Sequence, residues 1–226
     1  MIVEPVPAKP EPAVPISTTA RSSALFALPF GIAMMVAVIA LTAMEFAVQP
    51  WLTALLALSL WVPAAVELIL RSPLPRALQL HYIIFIIAGP FAGSALNVYV
   101  AIADWDTLIH FDSGVMLAWL GMLAVRRVEE RTRQAVPMWF ALVVIQVTAM
   151  AFAAAWEMCE FASDVLIGTV SQSGLDDTML DITAGTLGGL LAITLLILLK
   201  RPRTLAPHSL LRETRDPAAP SPEPES

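Results

Sequence analysis

The feature that most restricts this chain is a set of six apolar stretches, most of them long enough to cross a bilayer as a helix. They run over about Ala24–Phe46, Trp51–Leu70, Leu78–Val100, Asp106–Val125, Val136–Asp164 and Asp177–Leu199. At 1.5 Å per residue, roughly 20 helical residues cover a hydrocarbon core about 30 Å thick. Within that core each backbone polar group needs an internal partner, so runs of this length are expected as helices. The expected fold is all-α: a polytopic membrane protein with six transmembrane helices over residues 23–200. Only 14% of residues are charged, against about 25% in soluble domains, and the mean hydropathy is +0.74. Too little polar sequence remains for a soluble catalytic domain, and no basic patch suits nucleic acid. The partner that composition demands is the lipid bilayer. A single cysteine, Cys159, excludes an internal disulfide.

The flanks differ in kind. Residues 1–22 are proline-rich and lack apolar periodicity, so a disordered tail is expected, with a second over 201–226. The first apolar run is long and late, which reads as an anchor rather than a cleaved signal. Pro29, Pro63 and Pro90 fall inside spans, where each removes a helical hydrogen bond and favours a kink. No internal sequence repeat stands out, which weighs against an inverted-repeat transporter.

Charge supplies the orientation. All 13 Lys and Arg fall in the tails or in alternate connections: Arg71 and Arg76, then Arg126, Arg127, Arg131 and Arg133, then Lys200, Arg201 and Arg203. With six spans they share one side, so the positive-inside rule makes both termini cytoplasmic. The opposite side holds Glu45, Asp104, Asp106, Asp112, Glu157, Glu160, Asp164, Asp176, Asp177 and Asp181, with His110 as its sole potential cation. Salt bridges to Lys or Arg cannot neutralise these acids. They must face water, carry or share protons, or bind metal ions.

Spacing groups them. Asp106 and His110 are four apart, on one helical face with Gly114. Glu157, Glu160 and Asp164 share a face of the fifth span, and Asp177 and Asp181 share one on the sixth with Gly185 and Gly189. Glycines at that spacing let membrane helices approach closely. Taking Asp106, Asp164 and Asp177 as boundary markers, His110, Glu160 and Asp181 lie about one turn inside, and Glu157 about 10 Å inside. Carboxylates with one imidazole suit Mg, Mn or Zn. Asp106, His110, Glu157, Glu160, Asp177 and Asp181 are therefore the candidate metal ligands. Glu157 and Glu160 are the candidate catalytic groups, as ligands or general base. Three classes fit: a divalent-metal site activating water on a lipid or envelope substrate, a proton-linked transporter or channel, and a structural or partner-binding membrane protein whose acids bond Thr178, Ser163 or Trp156.

Other polar residues suggest local roles. Glu67 is expected to pair with Arg71 one turn on, His81 to snorkel, and Asp112 to point away from His110. Trp51, Trp61, Trp105, Trp139 and Tyr99 read as interfacial anchors. Arg126–Arg133 reads as a solvated loop.

The residues Trp105-Asp106, His110 and Gly114, then Trp156-Glu157, Glu160-Phe161 and Asp164, then Gln172, Asp177-Thr178, Asp181 and Gly188 resemble the YjdF-like bacterial inner-membrane proteins. The resemblance runs from about Leu74-Pro75 to the end of the sixth span. It implies a multi-pass helical protein of the bacterial cytoplasmic membrane, with a domain of unknown function and no assigned activity or cofactor. Asp112 and Cys159 depart from the pattern. A looser similarity to VanZ-like proteins is analogy alone, because Glu160 stands where that pattern has glutamine.

Overall fold

The computed structural model describes residues 15–45 and 50–198. Among them there is no strand, and six helices or helix pairs are long and apolar enough to cross a membrane. The protein is an all-α, multi-pass membrane protein. The expected tail at 201–226, and residues 1–14 of the other, lie outside the described residues.

The spans are α1 (Ile16–Ala43), α2 (Pro50–Ser59) continued by α3 (Val62–Leu70), and α4 (Arg76–Ile86) continued by a π-helix (Ile87–Ala95). A short α5 (Val98–Ala101) leads to α6 (Trp105–Thr132), α7 (Met138–Ile167) and α8 (Leu175–Leu198). Three boundaries differ from expectation. Ile16–Ser22, expected in the tail, are helical, and Ala20 is buried, because the polar residues before the apolar run still continue a helix capped by Pro15. The third span stops at Ala95 rather than Val100, since Asn97 takes a left-handed φ of 60° and turns the chain. Arg126–Thr132 is the end of α6 rather than a loop, and Arg127 Nε and Arg131 Nη2 both donate to the Leu70 carbonyl at 3.1 Å. That pairing satisfies an orphan carbonyl at the end of α3.

The prolines act at different strengths. Pro63 cannot donate to the Ser59 carbonyl, four residues back. The second span breaks there, and the Tyr82 hydroxyl fills the vacancy by donating to Ser59 O at 3.0 Å. Pro90 sits within the π-helix, while α1 runs unbroken through Pro29. Trp61 and Trp105 are corrected from interfacial anchors to interhelical donors. Their ring N–H groups reach Ala24 O at 3.1 Å and Ala88 O at 2.9 Å. Trp51 and Trp139 are exposed.

Glu67 is not paired locally. It is 1% exposed and accepts from Leu74 N at 2.8 Å, Ser23 Oγ at 2.9 Å and Gln79 Nε2 at 3.2 Å, tying α1, α3 and α4 together. Arg71 instead ends α3 in a left-handed turn (φ 49°). The same turn recurs between α6 and α7. Arg133 is left-handed (φ 54°), and Glu129 accepts from Val136 N at 2.9 Å. Pro75 and Pro137 then open the next helices with almost identical dihedrals. In each turn a buried glutamate accepts from the amide seven residues on, just ahead of the proline.

The closest packing joins α6, α7 and α8. On α7 the buried Ala141, Ile145, Ala149 and Ala153 recur every four residues, one stripe on one face, and lead to Glu157. On α8 the small Ala184, Gly185, Gly188 and Gly189 continue from Asp181. A Cβ on Gly114 would overlap the Gly185 carbonyl oxygen, and one on Gly188 that of Phe111. Backbone therefore meets backbone between α6 and α8, as small residues permit in membranes.

Candidate functional site

These stripes bring three acid-bearing helix segments to one place. Asp106, His110 and Asp181 each present a ligand atom, all within 4.8 Å of one another. His110 Nε2 lies 3.6 Å from Asp106 Oδ1 and 3.5 Å from Glu157 Oε1. His110, Glu157 and Asp181 are 3%, 3% and 1% exposed, and Asp106 is half-buried. The buried oxygens Asp106 Oδ1, Glu157 Oε1 and Asp181 Oδ1 have no hydrogen-bond partner. A buried carboxylate oxygen without a donor loses its hydration and gains nothing in exchange. Three such atoms around one imidazole form a concentrated acceptor site.

The donor set fits a divalent cation. Donors about 2.1 Å from one ion lie roughly 3–4 Å from each other, the separation between His110 Nε2 and its two carboxylate neighbours.

Glu160 and Asp177 belong to the surroundings of this core. Glu160 Oε1 accepts from Trp156 Nε1 at 2.9 Å, and Asp177 Oδ2 accepts from Ser173 N at 2.9 Å ahead of α8. Both are half-buried. Asp164 organises the α7–α8 connection, accepting from Thr169 Oγ1, Ser171 N and Gln172 N at 2.6, 2.8 and 3.0 Å. That fold turns Gln172 inward. Its amide donates to Glu157 Oε2 at 3.3 Å, to the Glu157 carbonyl at 3.2 Å and to Thr178 at 3.0 Å. The structural role weighed for the acids therefore describes Glu160 and Asp164, but leaves Asp106, Glu157 and Asp181 each with a free oxygen.

Two contributors lie beyond the spacing argument. Tyr99, read as an interfacial anchor, is half-buried, with its hydroxyl beside the Asp106 carboxylate. Its ring packs so closely on Gly93 that a Cβ there would overlap it. Gln172 is the second, and its signal is a lone amide in the polar connection between two acidic helix ends. Away from the site, His81 does not snorkel. Its Nε2 meets Asp112 Oδ1 at 2.9 Å across α4 and α6, so Asp112 faces away from His110, as expected, and onto a second helix.

A model of the family described as predicted membrane protein (DUF2238) matches residues 26–202. One curated relative, an uncharacterized protein of Thermotoga maritima, is 28% identical over 130 residues, or 56% of this chain. The match spans 65% of that relative's length. No solved structure matches.

Proposed function

The chain belongs to this family of predicted membrane proteins, and from that premise we propose that it holds a divalent cation at Asp106, His110, Glu157 and Asp181. In this reading it lies in a bacterial cytoplasmic membrane, both termini are cytoplasmic, and the site belongs to the periplasmic half. The partition of all 13 Lys and Arg onto the other side supports that orientation. The observation that carries the cation reading is the trio of unpartnered buried oxygens beside the His110 ring. With no Lys or Arg on that half, a cation is the counter-charge that would stabilise them together.

A bound Mg, Mn or Zn would polarise a substrate oxygen and lower the pKa of a coordinated water, the chemistry of hydrolysis at a lipid or envelope substrate. Glu157, oriented by Gln172, would hold the ion or accept a proton from that water. Glu160 and Asp177 would form the outer ring, fixed by Trp156 and the Ser173 amide.

Metal analysis and thermal unfolding of detergent-purified protein test the reading. Added Mn or Zn should raise the melting temperature of metal-free protein, and Asp181→Asn should abolish that rise. Wild-type protein that neither binds nor responds to either ion would sink the proposal. The contact between His110 and Glu157, 3.5 Å apart, would then favour a proton-exchange role, with flux in proteoliposomes lost in Glu157→Gln.

A further inference from the structure

Beside the acid site lies a cavity of about 270 Å³ between α3, α4, α6 and α7. Along α6 its lining runs from His110 through Ser113 and Leu117 to Leu120, a length of about 15 Å. Its polar groups are almost all engaged elsewhere. Tyr82 donates to Ser59 O, Ser113 to His110 O, Trp156 to Glu160, and Gln79 belongs to the Glu67 cluster. The exception is the His110 ring, which borders the cavity and points Nε2 at Asp106 and Glu157. A stable buried water needs two to four polar partners, which these walls do not offer. The volume is elongated, apolar and within the membrane-spanning region, and it carries one polar end.

We propose that this cavity seats one acyl chain of a membrane lipid and delivers its headgroup to the Asp106–His110–Asp181 site. The shape argument is direct: an apolar shaft that runs along α6 matches an extended chain lying parallel to its neighbours in the bilayer. The supply argument is equally simple, because lipid is the apolar solute that surrounds these helices. The headgroup assignment rests on the cation reading above. Without Lys or Arg on that half, an anionic headgroup would be held through the ion. The occupant and the ion are separable by experiment.

The test uses full-length detergent-purified protein, a phospholipid carrying a photoactivatable diazirine on one acyl chain, and mapping of labelled residues by mass spectrometry. Manganese binding is measured in parallel by calorimetry. The expected label falls on Met116, Leu117 and Leu120. It should be lost in Leu120→Trp, which fills the shaft, while manganese binding persists. The milder Leu117→Phe should reduce the same labelling if the larger ring prevents folding. Label confined to outward residues such as Val143 and Val147, or unchanged by both variants, overturns the chain seat whatever manganese does. Cavity labelling in protein that never binds manganese keeps the seat and discards the cation reading.

Discussion

Two clusters of buried acid, built at opposite ends of the same bundle, solve the same physical problem in opposite ways. Glu67 and Asp181 are equally hidden, each 1% exposed. Around Glu67 both carboxylate oxygens accept hydrogen bonds, and Arg76 stands one layer away through Ser23 and Gln79. Around Asp181 an oxygen is left bare, as in Asp106 and Glu157 beside it, and with six spans no Lys or Arg falls on that side. A saturated buried carboxylate holds helices together. An unsaturated cluster is less stable alone and gains from an added cation. The difference separates an acid that completes the fold from acids that the fold leaves available.

Removing the saturated acid should have the largest effect. Glu67→Ala strands the Leu74 N–H and the Ser23 hydroxyl, and takes one of three acceptors from the Gln79 amide. A loss of about 3 kcal/mol follows from unsatisfied buried donors, read as a lower melting temperature and a poor yield of folded protein. An unchanged melting temperature would erase the contrast with the other cluster.

The opposite sign is expected at Asp181. In metal-free protein Asp181→Asn relieves an uncompensated buried charge next to other carboxylates, a gain of about 1 kcal/mol. Thermal unfolding should therefore show the variant equal to or above wild type without metal, and below it once manganese is added. A loss as large as that of Glu67→Ala, with no metal present, would make Asp181 a structural acid too.

Much of this contrast is legible in the sequence, and the part that is not has physical reasons. The six spans, the segregation of Lys and Arg, and the shared faces of Asp106 with His110 and of Asp177 with Asp181 follow from length and helical period alone. Which oxygens end up free does not. That depends on donors from distant segments, such as Gln172 turned inward by the Asp164 loop, and on close approaches such as Gly114 to Gly185. Glu67 is the instructive miss. Its spacing to Arg71 suggests a surface pair, yet the residue that matters is Leu74 N, seven positions on. Glu129 and Val136 repeat that spacing ahead of a proline, so the turn was written twice. A local pairing rule covers i+4, while a turn that reverses the chain brings i+7 back onto the glutamate.

An equally small change in stability, of opposite sign, is expected at the residue that joins fold to site. Gln172 donates to Glu157 Oε2 and leaves Oε1 bare, so it orients the carboxylate without saturating it. Gln172→Ala removes three bonds from a half-buried amide. Because the connection is still held by Asp164, the loss should be only about 1 kcal/mol. Manganese affinity should nevertheless fall by roughly ten-fold, the usual consequence of removing a group that orients a ligand. Calorimetric titration of the variant against wild type separates the two effects. A variant that loses stability but keeps full affinity would move Gln172 to the Glu67 side of the comparison, as packing rather than positioning. Retained stability with weakened binding is what an acid held open for a cation requires.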